Sequence, residues 1–249
     1  MLINLHPDAD VAQVVGAVTA LGGWPKPLKN ADGLVQSIHI GASSMPVDPS
    51  ELQKIPGVVG VLKAESSHPL VDAARGASTV VGQVDFLADS PILIAGPCGL
   101  DSEENVNVIA AEVAAAGAQI LRGGAFKPRT SPYSFSGYGL EALNWMSKAA
   151  VHHGLSMVSE VLSEMDVPAV SERVDMIQIG SRNMQNFALL KAVGEAKKPV
   201  LLKRGRAATI DEWLMAAEHL YRHGASSVVF CERGVRGFDS HTRNLLDLA

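Results

Sequence analysis

Cysteine is scarce in this chain: only Cys98 and Cys231 occur in 249 residues. Two thiols exclude a disulfide framework and predict a reducing, cytoplasmic setting. Long apolar runs are lacking as well. No stretch approaches the roughly 18 apolar residues of a membrane span, and the N-terminus lacks the basic-then-apolar pattern of a secretory signal. Positive charge is not in surplus: the formal net charge is −5, which argues against a nucleic-acid partner held by bulk electrostatics. Aromatic residues make up 5% of a chain that is 47% hydrophobic, so Ala, Val, Leu and Ile must fill the core. Trp145 and Trp213 fall at helical spacing and are expected to pack inside rather than to stack on bases.

What is present divides at about residue 63. Residues 1–63 predict a small separate domain. A strand at Leu2 to Leu5 precedes Val11, Val14, Val15, Val18 and Leu21 at helical spacing, closed by Gly22-Gly23. Two extended segments, 24–29 and 33–41, flank Asn30-Ala31-Asp32-Gly33, which is hairpin chemistry. A short helix near 48–54 and a strand near 57–63 complete a β-α-β-β-α-β order, the ferredoxin-like arrangement. Residues 64–91 are expected as a linker, with a small hairpin around Gly82.

From residue 92 strands and helices alternate. Strands are expected at 92–97, 119–124, 155–160, 174–179, 199–203 and 226–231. Repeated βα units imply a parallel sheet, either doubly wound or a (β/α)8 TIM barrel. The glycine fingerprint of a dinucleotide fold is missing after the first strand, and polar residues stand at nearly every strand C-terminus. Both features favour the barrel, here with six of its strands and a chain that stops inside the expected sixth helix. An open sheet that needs fewer strands is the alternative.

The strand ends collect charge. Arg122, Lys127 and Arg129 place three cations within eight residues, on a connection stiffened by Pro128 and Pro132. Arg182 follows the fourth strand, and Lys203 and Arg233 end the fifth and sixth. Each alone is an ordinary solvated loop charge. Arg122, Lys127, Arg182, Lys203 and Arg233 together point to a site for a small phosphate- and carboxylate-bearing anion. Glu160 ends the third strand. Cys98 follows the first, where a thiolate could ligate a divalent metal or simply pack as a small residue. The histidines, including His219, His223 and His241, fall in or near surface helices and are assigned no catalytic role.

With these residues in hand, the chain resembles the 3-deoxy-D-arabino-heptulosonate 7-phosphate (DAHP) synthases of the short, single-barrel type with an N-terminal ferredoxin-like regulatory domain. The resemblance rests on Ala95-Gly96-Pro97-Cys98, on the run from Leu121 through Lys127, Pro128, Arg129, Thr130 and Ser131 to Phe135, on Gln178-Ile179-Gly180-Ser181-Arg182-Asn183, and on Cys231-Glu232-Arg233-Gly234. It implies condensation of phosphoenolpyruvate with erythrose 4-phosphate, the first step of the shikimate route to aromatic amino acids. Arg122, Lys127, Arg182, Lys203 and Arg233 would bind phosphoenolpyruvate, and Arg129 and Thr130 the phosphate of the second substrate. Lys127, Glu160 and Lys203 would be catalytic, and Cys98 would ligate a divalent metal. The family usually has Phe-Gln-Gly-Leu-Gly where this chain reads Phe135-Ser136-Gly137-Tyr138-Gly139. It also takes a His, a Glu and an Asp ligand from later strands, which implies that this sequence lacks its last two βα units. A homo-oligomer and an aromatic amino acid effector are the other expectations. Two alternatives stay open: a non-catalytic homologue that keeps an anion site, and the related 3-deoxy-D-manno-octulosonate 8-phosphate synthase reaction.

Overall fold

A computed structural model describes residues 1–249 except 31, 42–46, 64–65, 128–130, 132, 240 and 249. The chain forms two compact units, Met1–Ser66 and Ser67–Ala249.

In the first unit, strand β1 (Leu2–Leu5) leads to helix α1 (Val11–Ala20), strands β2 (Trp24–Lys29) and β3 (Val35–Gly41), helix α2 (Pro49–Gln53) and strand β4 (Val58–Leu62). Asp10 caps α1 by accepting from the N–H groups of Ala12 and Gln13, which stabilises the helix by about 1 kcal/mol. The sheet order is β2-β3-β1-β4, with every pair antiparallel. Pro25 and Pro27 sit in β2, an edge strand, where a missing N–H costs no ladder hydrogen bond. Val14 and Val18 of α1 pack with Ile3, Ile38, Ile40 and Leu52 to form a core of their own.

The second unit opens with helix α3 (Pro69–Ala73) and the strand pair β5 (Val80–Val81) and β6 (Val84–Asp85), then β7 (Ile94–Ala95). It continues through α4 (Glu103–Ala115), β8 (Ile120–Gly123), α5 (Leu140–His152), β9 (Ser156–Val161), α6 (Val167–Ser171) and β10 (Met176–Ile179). The last elements are α7 (Phe187–Glu195), β11 (Pro199–Lys203), α8 (Ile210–Arg222) and β12 (Ser227–Cys231). Strands β7 to β12 form one parallel six-stranded sheet in chain order.

Side-chain alternation separates two layers on this sheet. Leu121, Met157, Ile177, Val200, Leu202 and Val228 face the helices and join the main core with Leu143, Leu189 and Leu220. Ile120, Val158, Met176 and Leu201 face the other way and meet Val81 of the β5–β6 hairpin. Val81 and Ile120 are fully buried, worth about 1.5–3 kcal/mol each. Helix α8 shows why it lies where it does. Trp213, Ala216, Ala217 and Leu220 give it one buried stripe, and Thr209 with Glu212 closes its start as a capping box.

Two expectations need correction. The stretch from 67 to 91 is not a free linker but part of the second unit. Glu218 of α8 accepts from the N–H groups of Leu70 and Val71 at 3.0 Å, which docks the start of α3 on α8. Ser156 Oγ donates to the Val81 carbonyl at 3.0 Å and accepts from Gln83 N, and this holds the hairpin around Gly82 against the start of β9. The expected sixth helix is also not formed among the described residues after β12. That segment instead folds back on itself through an antiparallel bridge between Val235 and Leu245. Gly234, at φ +81°, turns the chain away from a helical path.

Candidate active site

Each inner-facing apolar residue is followed two positions later by a polar one on the same face. The pairs are Ile120 and Arg122, Val158 and Glu160, Met176 and Gln178, and Leu201 and Lys203. The parallel register sets Glu160 beside Gln178 and Lys203 beside Cys231. The result is a polar rim on an apolar floor, at the C-terminal ends of the strands. One cleft of about 930 Å³ is lined by Cys98, Arg122, Glu160, Gln178, Lys203 and Arg233, which come from all six strand ends. Six strands laid flat would spread over roughly 24 Å, so a shared cleft means that the sheet is curled.

Lys127 enters from the β8–α5 connection and is 8% exposed. Its ammonium donates to the Cys98 carbonyl and to Cys98 Sγ, the latter at 3.3 Å. The Lys127 hydrogen bond holds the Cys98 thiol below its usual pKa despite partial burial. Arg122 donates through Nη1 to the Pro97 carbonyl at 3.2 Å and through Nε to Gln178 Oε1 at 3.5 Å. Gln178 Nε2 in turn donates to Glu160 Oε2 at 3.0 Å. This chain of contacts fixes the orientation of three side chains from three neighbouring strands.

Burial pushes the Glu160 carboxyl above its ordinary pKa, against the opposing pull of Lys127, Lys203, Arg122 and Arg182. Burial also lowers Lys203, and the nearby Arg122 lowers it further, with Cys231 and Glu160 opposing. Gly180 leaves room for Glu160: a Cβ there would stand 2.0 Å from Glu160 Oε1 and displace the buried carboxylate.

The expected residues Cys98, Arg122, Lys127, Glu160, Arg182, Lys203 and Arg233 all line this one cleft. Arg129 and Thr130 lie outside the described residues. Sequence reasoning assigned no role to Gln178, although one polar residue inside the apolar run Met176 to Ile179 marks an inward position. It also left out Arg206, Arg236 and Arg243, which line the same cleft farther out with His241. Arg204, next to Lys203, points away from the cleft by strand alternation. Its Nη1 donates to Glu232 Oε2 and Asp247 Oδ2, each at 2.7 Å. Glu232 Oε1 accepts from the N–H groups of Arg233 and Gly234 at 2.7 Å and so holds the Arg233 backbone in place.

A metal centre is not assembled by these residues alone. Among the described residues no three His, Cys, Asp or Glu side chains come together as a metal-holding cluster. The Cys98 sulfur is engaged by Lys127, and a lone sulfur falls short of the three or four protein ligands a site needs.

Over 157 residues the chain is 48% identical to the phospho-2-dehydro-3-deoxyheptonate aldolase of Thermotoga maritima. That match takes in 63% of this chain and 46% of the relative, so the chain spans about half the length of that protein. A 2-dehydro-3-deoxyphosphooctonate aldolase of Syntrophotalea carbinolica is 29% identical over 178 residues, 68% of this chain and 64% of that protein. The crystal structure of the Thermotoga maritima DAHP synthase superposes with a TM-score of 0.68 at 34% identity, covering 99% of this chain and 73% of that one. A truncated form of the same synthase gives 0.61 at 40% identity, over 68% and 61% of the two chains. The model of the DAHP synthetase I family matches residues 78–249, and the chain belongs to that family.

Proposed function

We propose that this chain carries the phosphoenolpyruvate site of a synthase that condenses phosphoenolpyruvate with erythrose 4-phosphate, releasing DAHP and phosphate. One observation carries the reading: Arg122, Lys127, Arg182, Lys203 and Arg233 converge around Glu160 in a single cleft. A fully ionised phosphoenolpyruvate is a trianion, and fixed cations on rigid strand ends suit it better than mobile surface lysines. Guanidinium forks bind carboxylate and phosphate oxygens in pairs, so Arg122, Arg182 and Arg233 orient the ligand, while Lys127 and Lys203 add point charges.

In the proposed reaction the methylene carbon of the enol forms a bond to the aldehyde carbon. Water adds to the enolpyruvyl carbon, and the bond from that carbon to the phosphate oxygen breaks, releasing phosphate. Glu160 holds a proton more readily than an exposed carboxyl, which suits it to organise that water and to move its proton. Burial lowers the Lys203 pKa, and the nearby Arg122 lowers it further, so its ammonium gives up a proton more readily than that of an ordinary lysine.

Strand order without a reversal, and a site at the strand C-termini, support reading the six-stranded sheet as part of a (β/α)8 barrel. The β-α-β-β-α-β order and the β2-β3-β1-β4 sheet support a ferredoxin-like fold for the first unit. We assign it a regulatory role with an aromatic amino acid as effector, since it supplies none of the cleft residues. No described helix is long and apolar enough to cross a membrane. The two free thiols fit a reducing, cytoplasmic setting, and a homo-oligomer is the expected state.

The test is ligand-induced stabilisation. Phosphoenolpyruvate at 100 times its Kd should stabilise the fold by about 2.7 kcal/mol, read as a rise in Tm. Lys203→Ala or Arg182→Ala should shrink that rise, since each charge-assisted hydrogen bond is worth about 1.5–3 kcal/mol. A folded chain whose Tm ignores millimolar phosphoenolpyruvate would refute the proposal.

A further inference from the structure

Arg233 is a half-buried cation in a crowded place. Arg122, Lys127, Arg182 and Lys203 line the same cleft, and like charges push long, flexible side chains apart. An arginine also loses much rotamer freedom when it is fixed in one pose. Glu232 sets the Arg233 backbone, but that leaves the guanidinium free to swing.

The guanidinium is held from the other side. Its Nη1 donates to the Gly234 carbonyl at 3.1 Å and to Asn244 Oδ1. A guanidinium only donates, so the Asn244 amide must present its oxygen, and that fixes which way the amide points. Both contacts fall on Nη1. Among the described residues Nε and Nη2 make no hydrogen bond, which keeps that edge of the fork, able to bind two oxygens at once, for an anion.

Asn244 is carried by the segment that folds back after β12, and three contacts anchor it. Val235 and Leu245 exchange both backbone hydrogen bonds at 2.8 Å. Arg236 N donates to the Arg206 carbonyl at 2.7 Å, and Asp247 Oδ2 accepts from Arg204 Nη1 at 2.7 Å. Gly234 permits the approach: a Cβ there would stand 3.0 Å from Asn244 Cβ and 2.9 Å from the Leu245 carbonyl oxygen. The chemistry of the acceptor matters too. Arg204, which points away from the cleft, pairs with two carboxylates, whereas Nη1 of Arg233 meets two neutral oxygens. A carboxylate at 244 would also hold Arg233, but it would cancel the charge that attracts an anion.

We propose that Asn244 is a positioning residue of the anion site, which holds the Arg233 guanidinium through a neutral oxygen so that its Nε and Nη2 edge meets the ligand's carboxylate or phosphate. This role rests on the cleft being a phosphoenolpyruvate site, so one arm of the test uses no ligand.

The ligand-free arm is nuclear magnetic resonance of the arginine side chains in the full chain, with the Arg233 signals assigned from Arg233→Lys. A guanidinium held through Nη1 should rotate slowly and show separate Nη proton signals. In Asn244→Ala those signals should merge, while those of Arg204 stay separate. Merged Arg233 signals in the native chain would overturn the proposal, whatever phosphoenolpyruvate does. Separate signals in a native chain that does not bind phosphoenolpyruvate would support the hold on Arg233 and refute the ligand instead.

The second arm is calorimetric titration with phosphoenolpyruvate. Asn244→Ala should raise its Kd about tenfold. In an Arg233→Ala background the same substitution should change Kd by less than about twofold, which separates holding Arg233 from touching the ligand. Asn244→Asp keeps the acceptor and adds a charge. Its Tm without ligand should be unchanged or higher, while Kd rises about fivefold. A residue that only stabilised the fold would not divide Tm from affinity in this way. Equal weakening by Asn244→Ala with and without Arg233, or an Asn244→Asp chain that binds as tightly as the native one, would overturn the proposal.

Discussion

Arg204 Nη1 stands 2.7 Å from Asp247 Oδ2, a contact between residues 43 apart in sequence that ties the end of β11 to the C-terminal segment. The Arg204 side chain is only 6% exposed. It is satisfied on several sides: Nε donates to the Ala208 carbonyl at 2.9 Å, and the guanidinium carbon lies 6.0 Å from the Trp213 ring centre. The pair has Lys203 and Arg206 close by in sequence, so its loss is felt at the cleft as well as in the fold.

Asp247→Ala should therefore destabilise the second unit by about 1.5 kcal/mol, the low end for a hydrogen bond to a charged group, because Glu232 still holds Arg204. In a unit of this size that corresponds to a fall in Tm of roughly 3–6 °C by calorimetry. An unchanged Tm would mean that the contact contributes nothing.

Acid should act on the same network through Glu232. Burial pushes its carboxyl up, but hydrogen bonds from Arg204 and from the N–H groups of Gly234 and Arg233 outweigh this and leave it below the usual carboxylate pKa. Its contribution is fully present above the unfolded-state carboxylate pKa and is lost as pH falls through the lower folded value. Denaturant midpoints measured down the acid limb should drop less steeply for Glu232→Gln than for the native chain. Parallel limbs would contradict the assignment.

The parallel strands were legible because each carries two to four apolar residues between turn signals, and the observed spans differ from the expected ones by a few residues at most. β7 is the shortest, at Ile94–Ala95, within the expected 92–97. Five cations and Glu160 were legible because charge at the end of an apolar strand has few structural uses. The Arg204–Glu232–Asp247 tie was not, because it depends on how the chain folds back after β12, and no local pattern encodes that path. Arg206 was hidden for a similar reason. As one cation in the run Lys203-Arg204-Gly205-Arg206, it acquires meaning only when Arg236 is brought to its backbone.

Gly180→Ala tests how tightly Glu160 is held. The added methyl would meet Glu160 Oε1 at 2.0 Å, so the carboxylate must shift from the position in which Oε2 accepts from Gln178. Overpacking of this kind costs about 1–3 kcal/mol. The variant should also show a smaller phosphoenolpyruvate-induced rise in Tm, whereas Gly16→Ala, with open space around it and an ordinary helical backbone, should keep the full response. Equal responses in both would separate Glu160 from the site.

Residues 67–249, expressed without the first unit, should melt cooperatively and keep the native phosphoenolpyruvate response, since this unit contains its own core and all the cleft residues. Thermal scans with and without ligand check this. A lost response in a folded fragment would place part of the site in residues 1–66.

The two prolines of β2 have a consequence for how the N-terminal sheet can grow. Pro25 and Pro27 each lack an N–H, so β2 cannot offer a regular row of donors to an incoming strand. At the opposite edge, β4 reads Val58-Val59-Gly60-Val61-Leu62, with no proline and with Val59 and Leu62 exposed. The sheet is thus polar in the sense of a crystal face with one blocked side. Strand addition is closed along β2 and open along β4, so any extension of this sheet has a single direction.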